Sequence, residues 1–448
     1  MSAVDTEVVV VGAGLAGLRC ALRLSELGHE VIVLEAEDEV GGRVRTDVVD
    51  GFRCDRGFQV LNPAYPAVRR WVDLAALDLH SFRAGVLVRT TDRLVTLADP
   101  VREPGLLPAT LRSGLVGPLE LAALARWTAR VLVDPQAVLR GPDTDLTDSL
   151  DAVGARGPIR RQVLEPFLAG VLADSHGTSS AAFTKLLVRM FALGRPGLPA
   201  AGMTALPRQL AQSLGDRVRL GDRVLEVTTG DGAGAVTGAV AGAVTGAVTG
   251  AVTGAVTVRS DAGTTRARAV VVATDPVTAG TLTPIPAPET KGLVTWWFEA
   301  PEAPVHEALL AIDGRERSAG FRTSPGPVWN TAVVSNAAPT YAPPGRHLVQ
   351  ATTLLDRPDG DAPEDAVLSH VGEILGCDTQ RWEVVTRHRI ESALPAVPPP
   401  LRLHSEVSLG NGLFVCGDHR DTASIQGALV SGNRTAEAVA RHLGTARR

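Results

Sequence analysis

Glu7-Val8-Val9-Val10-Val11-Gly12-Ala13-Gly14-Leu15-Ala16-Gly17 is an apolar run that closes on three glycines. The run is short, β-branched and uncharged after Glu7, which predicts a buried strand. Glycines at 12, 14 and 17 form a GxGxxG pattern. A helical pattern follows from Leu18 to Leu27, with Gly28 placed to cap its end. Val31 to Leu34 is a second apolar run, ending at Glu35. Strand, glycine turn, helix, strand is a βαβ unit. The three glycines differ in what they permit. Gly12 makes the tight turn, Gly14 lets a pyrophosphate approach the backbone, and Gly17 lets helix and strand pack closely. Ala13, Leu15 and Ala16 put their backbone N–H groups at the helix start, where an anion is favoured. Glu35, followed by Ala36, lies 18 residues past Gly17 and offers a carboxylate to a ribose hydroxyl. That carboxylate would repel a 2′-phosphate.

Downstream, Gly41-Gly42-Arg43-Val44-Arg45-Thr46 places two glycines beside two arginines. Glycines there let the chain pass close to a diphosphate, and Arg43 supplies compensating charge. Taken alone, the segment also reads as a surface turn with solvated arginines. Near the other end, Leu413-Phe414-Val415-Cys416-Gly417-Asp418 reads as a strand ending in Gly-Asp. Ser424-Ile425-Gln426-Gly427-Ala428 then opens a helix to about Leu443. In isolation, Asp418 reads equally as a helix cap.

Together these motifs resemble the flavin-containing amine oxidase superfamily, which includes amine oxidases, protoporphyrinogen oxidases and carotenoid (phytoene) desaturases. The resemblance runs from about residue 6 to 442 and is weakest in the middle. It implies FAD as cofactor. It also implies that Gly42 and Arg43 meet the diphosphate, that Gly417 and Asp418 meet the ribityl chain and phosphate, and that Ile425 lies beside the pyrimidine end. Asp55-Arg56-Gly57-Phe58-Gln59 resembles the loop passing the flavin ring, which assigns Gly57 and Phe58 there. Gly221-Asp222-Arg223-Val224 resembles the strand whose Val224 backbone meets the adenine, and Val270–Ala273 the strand closing that site. Leu198–Met203 and Ala393-Leu394-Pro395 resemble desaturase-like segments, with Ala201 in place of a glycine.

The resemblance implies an α/β fold, with a Rossmann-like doubly wound FAD-binding domain and an inserted α+β substrate domain. The FAD-binding domain is expected at 1–75, 200–285 and 386–448. The substrate domain is expected as a helical part, 76–199, and a sheet part, 286–385. Helices are expected at Leu106–Trp127 and Ala181–Leu193 within a mostly helical stretch, 62–200. Strands are expected at 216–228, 256–274, 291–298 and 346–355. A four-residue repeat fills 234–257 (GAVT units). It is too rich in Gly and Thr for a membrane span and reads as a lengthened surface hairpin.

Flavin chemistry in this family implies an oxidoreductase that takes a hydride from a C–H bond of a small or lipophilic organic substrate and passes electrons to oxygen or a quinone-type acceptor. Amine-oxidising members place a lysine near the flavin. Lys291 begins a strand, KGLVTWWFEAP, and is the candidate catalytic residue, with a solvated edge lysine as the plainer reading. Adjacent Trp296 and Trp297 face opposite sides. Many amine oxidases hold the substrate amine between two rings; here the position two before Gln426 is Ser424, which departs from that pattern. A desaturase or isomerase acting on an isoprenoid at a membrane surface is therefore kept as an alternative, as is a flavin-binding protein without turnover. Leu107, Leu111 and Leu115 share one helical face, either as peripheral membrane contact or as core packing.

Composition sets the outer bounds. With 448 residues, 45% hydrophobic and 21% charged, the chain is a globular protein of two or three domains and not a disordered one. Basic and acidic residues number 44 and 49, for a net charge of −5, which excludes a general attraction for nucleic acid. Only Lys185 and Lys291 among the basic residues are lysines. The four cysteines form neither a CxxC pair nor a disulfide framework, and no metal-ligand spacing is seen. A reducing, cytoplasmic setting without a secretory leader is the expectation.

Overall fold

The structure, a computed structural model, describes residues 4–230, 255–315, 325–356 and 361–444. They divide into two compact units. One takes the chain up to Val44, Leu206–Glu289 and the chain from Arg402 on; the other takes Arg45–Ala205 and Thr290–Leu401. Most of the 234–257 repeat lies outside the described residues.

The first unit is built on a mixed sheet with a parallel centre. Thr6–Val11 pairs parallel with Val31–Leu34 on one side and with Gly263–Val272 on the other, in register Val11↔Leu34 and Val11↔Val272. Leu413–Val415 joins parallel to Val270–Val272. Val8, Val9, Val10, Val270, Val271 and Val272 are fully buried. Such uniform burial is what a parallel sheet covered on both faces demands, and it explains the continuous valine runs. Val256–Ser260 and Val224–Thr229 extend the sheet as antiparallel strands. The fingerprint helix Leu15–Glu26 and the C-terminal helix Ile425–His442 cross where a Cβ on Gly432 would come within 2.1 Å of Ala16 O. Glycine is what lets these two helices approach.

The second unit holds a seven-stranded sheet, in the order Glu383–Pro395, Thr290–Ala300, His347–Leu354, Val328–Val333, Leu310–Asp313, Gly85–Arg89, Leu94–Ala98. All pairs are antiparallel except Leu310–Asp313 with Gly85–Arg89. The helix Glu364–Leu375 covers one face through Val367, Val371 and Ile374, packed on Trp296, Phe298, Val349 and Ala351. Ala169 and Ala173, at the end of the helix Glu165–Leu172, pack on Leu293 and Leu354.

Three local expectations change. The helix expected over 106–127 is broken into Leu107–Leu111 and Pro118–Val133. Gly114 takes a positive φ between them, and Pro118 starts a new helix because it can sit at a helix start but not in its interior. The stretch 62–200 is less helical than expected, because it contributes strands Gly85–Arg89 and Leu94–Ala98. Leu94–Ala98 pairs with Gly85–Arg89 as a hairpin, whereas the other neighbour of Gly85–Arg89, Leu310–Asp313, is more than 200 residues away in sequence, beyond any local pattern. The strand expected over 216–228 is two, Val218–Arg219 and Val224–Thr229, separated by the positive-φ Gly221.

Candidate functional site

In the first unit, the backbone turns at the two glycine motifs lie against each other. Gly12 has φ +101°, and a Cβ on Gly17 would sit 2.0 Å from Gly12 O. No side chain could replace hydrogen at Gly17 without moving the turn. Gly14 differs: its φ is −71°, and a Cβ there meets nothing within 4 Å. Its hydrogen therefore keeps a space open. Gly14 is also the N-cap of Leu15–Glu26 and makes no side-chain cap, so the first N–H groups of that helix are free to bind an anion. Gly41 N–H donates to Ala13 O at 2.9 Å, and a Cβ on Gly42 would lie 3.6 Å from Gly14 Cα.

Glu35 closes the same corner. Its Oε2 accepts from Ala13 N–H at 2.6 Å and its Oε1 from Glu37 N–H at 3.0 Å. Its carbonyl accepts from Asp222 N–H at 2.8 Å, which ties the turn before Val224 to it. A carboxylate has about four lone-pair sites, so Glu35 can accept further donors. Ala36 follows it, partly exposed. Arg43 donates to Asp418 Oδ1 at 2.6 Å. Burial opposes the Arg43 charge, but the Asp418 carboxylate beside it raises its pKa above the ordinary value. Gly417 N–H donates to Ser431 Oγ at 3.1 Å. Ile425 begins the C-terminal helix, capped by Ser424 Oγ, which accepts from Gly427 N–H at 3.1 Å. Gly12 through Gly17, Glu35, Ala36, Gly42, Arg43, Val224, Gly417, Asp418 and Ile425 therefore all belong to this unit.

Gly57, Phe58 and Lys291 belong to the second unit. Gly57 has φ +91°, and Phe58 meets Phe82 edge to face at 5.9 Å. Lys291 Nζ lies 3.0 Å from Asp174 Oδ2; it is a partly buried member of an ion pair rather than a solvated edge lysine. Trp296 is core, stacked on Phe298. Trp297 is fully buried and its Nε1–H donates to Asp55 O at 3.2 Å.

Asp55 stood in the sequence only as the first residue of the loop segment, with no role of its own, and Asp174 went unmarked. Asp55 is completely buried, and accepts from Thr46 Oγ1, Met203 N–H and Tyr341 O–H. Burial pushes its carboxyl up to about 6 despite those donors. Asp174 carried no signal beyond an acid following a helix. His419, by contrast, stood next to the Gly-Asp motif. Burial holds its ring down to about 4. Among the described residues no group of three or more His, Cys, Asp or Glu side chains is placed to hold a metal ion.

The model of flavin-containing amine oxidoreductases matches residues 15–440, and the chain belongs to that family of flavin-dependent oxidoreductases. Individual relatives match unevenly. Putrescine oxidase of Kocuria rosea is 41% identical over 85 residues, 19% of this chain and 18% of that protein. Hydroxysqualene dehydroxylase of Rhodopseudomonas palustris is 25% identical over 487 residues, 96% of this chain and 98% of that protein. The first curated relatives align over only 14% of their own length. Among solved structures, an oxidoreductase from Methanosarcina mazei superposes with a TM-score of 0.68 at 17% identity, covering 96% of this chain and 100% of that one. Among the described residues no helix is long and apolar enough to cross a membrane.

Proposed function

We propose that the first unit binds FAD and that the protein oxidises a C–H bond of a small or lipophilic organic substrate, with electrons leaving to oxygen or another acceptor. The observation that carries the cofactor assignment is the packing of two glycine turns beside Glu35 and the Arg43–Asp418 pair. The residues present fit the group: an open space at Gly14, uncapped helix N–H groups, and a cation beside them. Gly12 to Gly17 with Gly42 and Arg43 would hold the diphosphate, Glu35 and Ala36 a ribose, Val224 the adenine, Gly417 and Asp418 the ribityl chain. Ile425 is assigned to the flavin ring. Bound FAD supplies a two-electron acceptor for hydride. The protein itself binds the donor carbon, orients it and excludes water. A hydride step requires no acid or base of its own.

The substrate reading leans toward the lipophilic. Ser424 caps a helix at the position where amine oxidation would call for a ring. The nearly full-length alignment is to hydroxysqualene dehydroxylase, whereas putrescine oxidase aligns over under a fifth of the chain. Of the three leucines expected on one helical face, Leu111 is 66% and Leu107 38% exposed while Leu115 is buried, past the end of the helix Leu107–Leu111; the second reading is a desaturase or isomerase working at a lipid surface with a quinone-type acceptor.

Anaerobic mixing of the flavin-loaded protein with primary amines and with isoprenoid alcohols or polyenes, with and without vesicles, tests the substrate class. Bleaching of the flavin band by an isoprenoid is the expected result. Bleaching that needs vesicles supports the surface reading. Bleaching by amines alone overturns the lipophilic reading. Bleaching by dithionite but by no organic donor points to a flavin-binding protein without turnover.

A further inference from the structure

The helix Glu165–Leu172 ends on Ala173, whose φ of +48° lies in the left-handed region, a conformation rare outside glycine. The next residue, Asp174, donates its N–H back to Ala169 O at 3.0 Å. Its carboxylate Oδ1 accepts from His176 N–H at 3.1 Å and faces Thr178 Oγ1 at 3.3 Å. Oδ2 accepts from Ser179 N–H at 2.8 Å, from Ser179 Oγ–H at 2.7 Å and from the Lys291 ammonium at 3.0 Å. The Asp174 side chain is 2% exposed and that of Lys291 is 15% exposed. Burial alone would raise the Asp174 carboxyl; Lys291 and the Ser179 donors bring it below its ordinary range.

Of 44 basic residues only two are lysines. Lys185 lies 5.3 Å from the centre of the Trp127 ring, and Lys291 lies on Asp174. Both Asp174 oxygens already accept from the loop, and the Lys291 ammonium reaches Oδ2 alone. A compact ammonium suits one oxygen, whereas a guanidinium fork is matched to two.

We propose that Asp174 is a positioning residue for Lys291, fixing its ammonium at the start of the Thr290–Ala300 strand. Lys291 then serves as an oriented hydrogen-bond donor. Two of its three N–H bonds remain to be offered to water or substrate. The assignment rests on the reading of Lys291 as the residue acting beside the flavin.

Pulse labelling of the flavin-loaded full chain with acetic anhydride, read by peptide mass spectrometry, tests the pairing, because acylation needs the neutral amine. Lys185 is the internal reference. Asp174→Asn is expected to raise the Lys291-to-Lys185 labelling ratio at least tenfold. Asp174→Glu, which keeps the charge, should stay within threefold of the wild type. Ser179→Ala, which loosens the same loop but leaves both charges, should do likewise. Asp174→Ser carries the test if Asp174→Asn does not fold. An unchanged ratio overturns the proposal, whether both lysines stay slow or speed up together, since Asp174 then only builds its loop. The midpoint potential of the bound flavin in Lys291→Met addresses the underlying reading separately. A lowered potential is expected when a nearby cation is removed. An unchanged potential with an altered labelling ratio would leave the pairing intact and remove Lys291 from the flavin.

Discussion

Asp55 and His419 are the two titratable residues whose surroundings move them furthest into the experimentally accessible range, and they act in opposite senses. Burial raises the Asp55 carboxyl from 3.8 to about 6, so the folded chain holds that proton more tightly than the unfolded one. Its contribution to stability is complete below about pH 4 and is lost as the pH climbs through 6. Burial lowers the His419 ring from 6.5 to about 4. Its contribution is complete above about pH 6.5 and is lost as the pH falls through 4. The two slopes oppose each other between these limits, so a single stability curve conceals both. The difference between wild type and Asp55→Asn isolates the first. Relative to the variant, the wild type should lose on the order of 3 kcal/mol between pH 4 and pH 7, at about 1.4 kcal/mol per pKa unit. Urea unfolding at intervals of one pH unit measures this; parallel curves for the two proteins would show that Asp55 ionises normally in the folded state.

Among the elements, the fingerprint turn separates fold from ligand. A Cβ at Gly17 runs into Gly12 O, so Gly17→Ala forces the turn and the helix Leu15–Glu26 apart. A cost of about 1–3 kcal/mol is expected, with lost flavin. A Cβ at Gly14 meets nothing. Gly14→Ala should keep its stability within about 1 kcal/mol and still lose flavin affinity at least tenfold, because the added methyl occupies the space left for a phosphate. Thermal unfolding and flavin titration on both variants check this. Equal flavin affinity in Gly14→Ala and wild type would remove the diphosphate from that turn. These elements were readable in the sequence because their signals are local: a valine run, glycines at fixed spacing, an acid closing the next strand. The strand Gly85–Arg89 was not, because its burial comes from Leu310–Asp313 far along the chain. The break at Gly114 and Pro118 was legible in principle and was outweighed by the leucine spacing around it.

The whole molecule, a member of the flavin-containing amine oxidoreductase family, comprises a discontinuous parallel-sheet unit and a second unit with a seven-stranded sheet. Its family was legible at the two ends of the sequence, where backbone geometry dictates glycine at named positions. Lys291 was legible only as a lysine starting a strand; its partner Asp174 is 117 residues earlier, and only folding brings them to 3.0 Å. The same holds for Asp55, whose donors come from Thr46, Met203 and Tyr341. The most direct test of the account is the absorption spectrum of the purified chain, with identification of the cofactor released on heating. Oxidised-flavin bands with about one FAD per chain are the predicted result. A colourless protein that cannot be reconstituted with FAD, or one that releases a different cofactor, would contradict it.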